Sequence, residues 1–270
     1  MSLKSRQHAT PVSTRSLDAR YAVPALDKGL DVVELLARET DGLTPNEIAR
    51  LLGRTSSQLF RTLNALCRRG YIVQQDGDRY SLTLKLFELA HRHKPIKSLT
   101  AAAAPLMRDV SSRALQSCHL TVFHAGRVMV VAEVDSPERW AFGLKVGAQV
   151  GLTDTASGYV LLAFQDDAGR RAMIASHQEV EGELDVPQAQ LLKVVRNVAR
   201  KGYAQIQSRQ IRGVANIAFP VRGISGNAIA VLNIPYIKRI DKKVTPSIPA
   251  VREMLRESAQ RLSLLMGHVN

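Results

Sequence analysis

Residue types able to do chemistry are few in this chain, and their spacing argues against most reactions. Ser157 stands in Thr155-Ala156-Ser157-Gly158-Tyr159, which does not fit the G-x-S-x-G elbow that presents a hydrolase serine. His119 and His124 are five apart on a predicted strand, so their side chains leave opposite faces and do not share a metal. His91 and His93 are two apart on a predicted helix, which also separates them. Gly143, Gly147 and Gly151 fall four apart without a G-x-G-x-x-G or G-K-[ST] among them, so no nucleotide loop is supported. Cys67 and Cys118 read as small core fillers rather than reactive thiols. No catalytic residue, metal or cofactor is expected.

What the residues offer instead is recognition. Arg54, Ser56, Ser57, Gln58 and Arg61 crowd one short stretch and carry the donors and acceptors that base edges and phosphates require. Arg79 lies in a predicted hairpin, placed for phosphate or the minor groove. A second set is Thr155, Ala156, Ser157 and Gly158, small residues at a predicted helix start, where free backbone N–H groups favour an anion or carbonyl. Trp140 and Phe142 alternate on the strand-like segment 140–146, which makes one face aromatic, either as core packing or as pocket lining.

The elements that must position these groups fall into two grammars. Leu26, Leu30, Val33 and Leu36 keep helical spacing, which predicts a helix over 27–38. Thr44, Pro45 and Glu47 read as N-cap, N1 and N3 of a second helix that Gly53 stops. Thr55, Ser56 or Ser57 caps a third, with Leu59, Leu63 and Leu66 inward and Gly70 at its end. A hairpin follows around the turn 76–78, then a fourth helix from Leu82 that ends before Pro95. Three helices and a hairpin describe a winged helix-turn-helix, which lays its third helix in the major groove. Beyond Pro95 come a helix over 98–116, a hairpin turning at Ala125-Gly126, and a short helix within 152–164. Further helices fall at 166–176, 187–200 and 245–266, with strands at 203–207, 214–221 and 227–235. That mixture is α+β.

Composition agrees with this division. The chain has 270 residues, 45% of them hydrophobic, enough to bury the core of one large domain or of two ordinary ones. Its net charge of +13 points to a polyanionic partner. The charge is unevenly spread: residues 21–49 hold six acidic against two basic side chains, whereas 50–92 hold eight basic against three acidic. Positive potential therefore falls on the third helix and the wing, and counterion release would make binding salt-dependent. Two cysteines suggest a reducing compartment, and no apolar run approaches the roughly 20 residues of a membrane span. A soluble, cytoplasmic protein is expected.

The segment ALDKGLDVVELLARETDGLTPNEIARLLGRTSSQLFRTLNALCRRGY resembles the DNA-binding half of the IclR family of bacterial transcriptional regulators. Matches fall at Leu26, Gly29, Leu43, Ile48, Ala49, Gly53, Arg61, Leu63, Leu66, Gly70 and Tyr71, and continue in VGLTDTASGYVLLA and KGYAQIQSRQIRGVANIAFPV. Residues 1–20, rich in Ser, Thr, Arg and Lys with few large apolar residues, read as a disordered arm. The resemblance implies a DNA-binding domain over 21–82, a linker helix over 83–96 and a GAF-like effector domain over 97–270, in a bacterial cytoplasm beside the nucleoid. It implies a homodimer or homotetramer on a pseudo-palindromic double-stranded operator, with coupling through the linker helix. It also brings Asn216, Asn233 and Pro235 forward beside Thr155–Gly158 as lining of an effector pocket. QIQSRQ stands at 205–210 where several relatives are acidic, so a glyoxylate-type ligand is not implied. A carboxylate or aromatic acid, a lactone or a phenol suits the asparagine pair. Two alternatives stay open at this level: a basic DNA-coating protein without an effector, and a GAF-like hydrolase.

Overall fold

The computed structural model describes residues 23–75, 78–92, 94–241 and 244–269, the side chains of 91–95 excepted. The expected arm over 1–20, the tip of the wing turn at Asp76 and Gly77, and His93 lie outside the described residues. The chain divides into two compact units, one ending at Arg92 and the other beginning at His93.

In the first unit, helix α1 (Pro24–Leu36) starts earlier than its apolar spacing predicts, with Pro24 at the first helical position, where a missing N–H costs nothing. Helix α2 (Pro45–Leu51) opens on the expected capping box: Thr44 Oγ1 accepts from the Glu47 N–H, and the Glu47 carboxylate accepts from the Thr44 N–H. Gly53, at φ 62, turns the chain into α3 (Ser56–Arg68). Val32, Leu36, Ile48, Leu59 and Leu63 make the shared core. The wing pairs β1 (Ile72–Gln75) with β2 (Arg79–Leu82) in antiparallel register, and Leu43 bridges Tyr80 beside it. Gly42, at φ 67, is required there, because a Cβ would stand 2.8 Å from the Tyr80 carbonyl oxygen. Helix α4 (Lys85–Arg92) closes the unit.

In the second unit, α5 (Lys94–Ala114) begins four residues before its predicted start at 98 and takes Pro95 as its second residue. The proline therefore opens a helix as well as following one, and the stretch 83–96 is divided between α4 and the start of α5. Strands β3 (Cys118–His124) and β4 (Arg127–Val134) form the expected hairpin, with Ala125 at φ 47 and Gly126 at φ 83, as a two-residue primed turn demands. The ladder carries a bulge, since Leu120 faces Ala132 while Thr121 faces Val130.

The segment 140–146 is not a strand. Gly147 turns the chain at φ 88 and donates its N–H to the Val130 carbonyl, and after it only β5 (Gln149–Val150) pairs with β4. Next come α6 (Ala156–Ala163), α7 (Asp167–Ala175), α8 (Gln188–Lys201), β6 (Ala204–Gln207), β7 (Val214–Arg222), β8 (Ala228–Ile237) and α9 (Ile248–Leu265). Among the described residues, the sheet has the antiparallel order β5-β4-β3-β8-β7-β6.

Strand alternation divides the sheet's two faces chemically. Cys118, Leu120, Ile217, Phe219, Leu232 and Ile234 pack against α5 and α9 in an aliphatic core. The other face meets α6 and α8 through Ala204, Ala218 and Val231, and there it carries His119, Thr121, Asn216 and Asn233. Every residue of α6 is buried, so this short helix is an internal wall.

Candidate functional sites

Residues expected to read DNA lie where α2, α3 and the wing meet, but their side chains are not equally free. Thr55 caps α3, and Gln58 completes a second capping box by accepting from the Thr55 N–H at 3.1 Å. Ser57 lies 3.0 Å from the Thr55 hydroxyl, and Ser56 donates to Asn46 at 2.7 Å. Arg54 is held by Asp31 of α1 at 2.8 Å, and Arg79 donates to the Gly42 carbonyl at 2.7 Å beside Glu47. These six residues therefore build the recognition corner as well as decorate it. Arg61 differs: it is exposed and has no hydrogen-bond or ion-pair partner among the described residues. Ser57, Arg61, Asn64 and Arg68 share one exposed stripe of α3 at helical spacing. Beside them Phe60 is 65% exposed, an apolar surface that suits a thymine methyl. The sequence reading missed Phe60 and Asn64; the signal was available, because neither falls on the Leu59–Leu63–Leu66 stripe.

The second unit holds a cavity, open at its mouth, against the polar face of the sheet. Its wall brings together Phe142, Thr155, Ala156, Ser157, Asn216 and Asn233, residues separated by up to 91 positions in the chain. Two expected residues are not there. Trp140, 74% exposed, borders a different cleft with Gln116 and Arg239, because the segment carrying it is a loop rather than a strand. Gly158 is packed into the body: its N–H donates to Thr155 Oγ1 at 3.1 Å, and a Cβ would stand 2.1 Å from the Leu152 carbonyl oxygen. Thr155 lines the cavity, yet its hydroxyl is occupied, capping α6 and donating to the Gly151 carbonyl at 2.6 Å.

Residues not foreseen give the cavity its polarity. His119 lines it from β3, opposite Asn233 of β8 in the strand register, and neither ring nitrogen has a partner. Burial lowers its pKa to about 4, so the imidazole is neutral at pH 7. Asn233 Nδ2 reaches Ser157 Oγ at 3.4 Å while its Oδ1 is unpaired. Asp154 is buried; its Oδ2 accepts from the Leu184 N–H at 3.1 Å and from Gln210 at 3.5 Å, and its Oδ1 has no partner. Burial raises its pKa, with the Leu184 N–H opposing and Glu183 adding. Ser208, Arg209 and Gln210 stand at the rim, where Arg209 is exposed. The missed signal was alternation: in Cys-His-Leu-Thr-Val, the polar residues take every second place of an otherwise apolar strand. No group of three or more metal-ligating side chains occurs among the described residues. Burial pushes the Cys118 thiol up to about 12, which leaves it unreactive.

A helix-turn-helix with an exposed basic helix, followed by a domain with a polar internal cavity, suits a DNA-binding protein that answers to a small molecule. The IclR helix-turn-helix domain matches residues 25–76, and the C-terminal domain of the bacterial transcriptional regulator IclR matches residues 95–264. The chain belongs to the IclR family. It is a DNA-binding transcriptional regulator with an effector-binding C-terminal domain. Among its relatives is the HTH-type transcriptional regulator KdgR of Escherichia coli, 27% identical over 92% of this chain and 94% of that one. The fold is shared with the IclR protein of Thermotoga maritima, at TM-score 0.72 and 20% identity over 90% of this chain and 98% of the other. It is shared also with an IclR homologue of Microbacterium hydrocarbonoxydans solved with 4-hydroxybenzoate, at TM-score 0.73 and 22% identity over 90% and 99%.

Proposed function

We propose that this regulator reads a pseudo-palindromic operator as a homodimer through α3 and the wing, and that a small hydroxylated or phenolic carboxylic acid in the β3–β8 cavity alters that binding. The reading makes Arg61 and Ser57 the base-facing contacts, with Arg54, Ser56, Gln58 and Arg79 shaping the corner or meeting phosphate. Dimerisation is supported by α4, where Leu86 and Leu89 are each 39% exposed and Ala90 continues the stripe. A second copy of that helix is a natural cover, and two-fold symmetry in the protein asks for two-fold symmetry in the DNA. The work takes place on chromosomal DNA in the cytoplasm.

The observation that carries the effector site is the convergence of unpaired buried polar atoms: both His119 nitrogens, Asn233 Oδ1 and Asp154 Oδ1. A buried polar atom left unpaired costs about 1–3 kcal/mol, so a ligand that pairs these atoms recovers that cost on binding. Asn233 Oδ1 can only accept, and neutral His119 offers one acceptor and one donor, so the ligand must bring hydrogen-bond donors, which hydroxyls supply without adding positive charge. Arg209 at the rim and the first N–H groups of α6 suit a carboxylate at the other end. The Microbacterium homologue bound to 4-hydroxybenzoate is consistent with an acid of this shape. A thermal-shift screen comparing hydroxybenzoates, aliphatic hydroxy acids and the corresponding acids without hydroxyls tests the reading. Stabilisation by the hydroxylated acids is expected; equal response to the deoxy acids overturns the assignment.

A further inference from the structure

We infer that the effector domain carries a second polyanion-binding surface, which grips the phosphate backbone of DNA outside the segment read by α3. It lies at the β6 edge of the sheet. Helix α8 exposes Lys193, Arg196 and Arg200 at helical spacing, with Lys201 one residue on, and has no acidic residue. Around that edge a cleft bounded by α9 adds Arg222, Arg252 and Arg256. Seven cations line the two clefts against one carboxylate, Glu253, which pairs with Arg256.

The way these cations are held separates them from ordinary surface charge. Several arginines elsewhere are neutralised by acids, as Arg54 is by Asp31, Arg170 by Asp167 and Arg239 by Glu138. Here, among the described residues, Arg256 alone has an acidic hydrogen-bond partner, and the partners of Arg222, Arg252 and Arg200 are neutral. Arg222 sits over the Phe164 ring at 4.7 Å, and Arg252 sits over Tyr203 at 5.2 Å while donating to its hydroxyl and to Gln205. Arg200 donates to Asn197 at 3.1 Å. Such contacts fix a guanidinium's position and leave its charge available for an outside anion. A polyanion rather than a single small anion is indicated, because Lys193 to Arg200 alone runs about 10 Å along α8 at about 1.5 Å per residue. DNA is the polyanion that the same chain already binds, and the tether through one polypeptide gives this surface a high effective concentration of it.

The test is the salt dependence of binding by the full chain to a mixed-sequence 60-base-pair duplex. The triple variant Lys193→Ala, Arg196→Ala, Arg200→Ala is compared with the parent and with a control triple, Arg139→Ala, Lys145→Ala, Arg171→Ala, of equal charge change at exposed sites elsewhere. The slope of log K against log salt should shrink by about 2.7 in the first triple, about 0.9 for each phosphate no longer neutralised. It should stay at the parental value in the control. A parental slope in the first triple, or an equal decrease in both triples, overturns the proposal, the second outcome tracing the effect to overall charge.

Discussion

His119 and Asn233 stand opposite each other on neighbouring strands, buried on a sheet face that meets a cavity, and between them leave three polar atoms unpaired. Folded proteins pair nearly all their buried polar atoms, so three such atoms together call for an outside partner in the cavity. The pair predicts how the ligand-free domain responds to pH. Burial holds the His119 pKa at about 4, below its ordinary 6.5, so the unfolded chain takes up this proton first on acidification. The stability that neutral His119 confers is whole above pH 6.5 and is lost progressively down to pH 4, up to about 3 kcal/mol at about 1.4 kcal/mol per unit. His119→Leu should flatten that part of the stability profile, raise the melting temperature at pH 5 and abolish the effector response. Denaturation across pH 4–7 with both proteins checks it; parallel profiles contradict it.

Arg61 should behave as a contact residue with no structural duty. It has no partner among the described residues, so Arg61→Ala should leave the melting temperature unchanged. Binding to duplex selected by the protein from a random pool should weaken by about 1–3 kcal/mol if the arginine reaches a base edge. Arg54→Ala should instead lower stability as well as affinity, because it also breaks the 2.8 Å bond to Asp31. Equal stability loss in the two variants would refute this division of labour.

Gly158 should tolerate nothing larger. A Cβ there meets the Leu152 carbonyl oxygen at 2.1 Å, with the Leu152 carbonyl carbon and Cα at 2.6 and 2.8 Å, so it meets backbone rather than a flexible side chain. Gly158→Ala should destabilise the effector domain by at least the about 1–3 kcal/mol typical of overpacking, seen as a lower denaturation midpoint. A parental midpoint would mean that α6 shifts freely, which its complete burial argues against.

The stripe on α4 should hold two copies together. Replacing Leu86 and Leu89 by Glu places charge where an apolar cover is expected, and sedimentation at micromolar concentration should move from dimer to monomer. A parent that is itself monomeric, with and without DNA, contradicts the dimer.

Much of the DNA-reading unit was legible in the sequence because its signals are local. The Thr44–Glu47 box, Gly53 and the Leu59–Leu63 spacing each act within one turn, and the structure places them as their chemistry requires. The cavity was partly legible: Thr155, Ala156 and Ser157 announced a helix start, and Asn216 and Asn233 came through the family pattern. His119 and Asp154 were not, since a polar residue becomes a cavity residue only through strand register and through which helix covers that face. Trp140 was misplaced for a related reason. Alternating aromatics look like a strand, but a strand needs a hydrogen-bonding neighbour, and β4 is paired on that side by two residues only. Pro95 was read as a stop, although at the second position of α5 it is a start.

The central claim is that the β3–β8 cavity governs DNA binding, and Ala156→Phe tests it most directly. Ala156 is 1% exposed and lines the cavity at the first turn of α6, so a phenyl ring there occupies ligand space. DNA affinity is measured for parent and variant, with and without the hydroxylated acid that most raises the parent's melting temperature. The account predicts that both proteins bind DNA alike without the acid, that the acid changes affinity in the parent, and that it changes nothing in Ala156→Phe. A variant that responds like the parent would place the effector elsewhere and contradict the account.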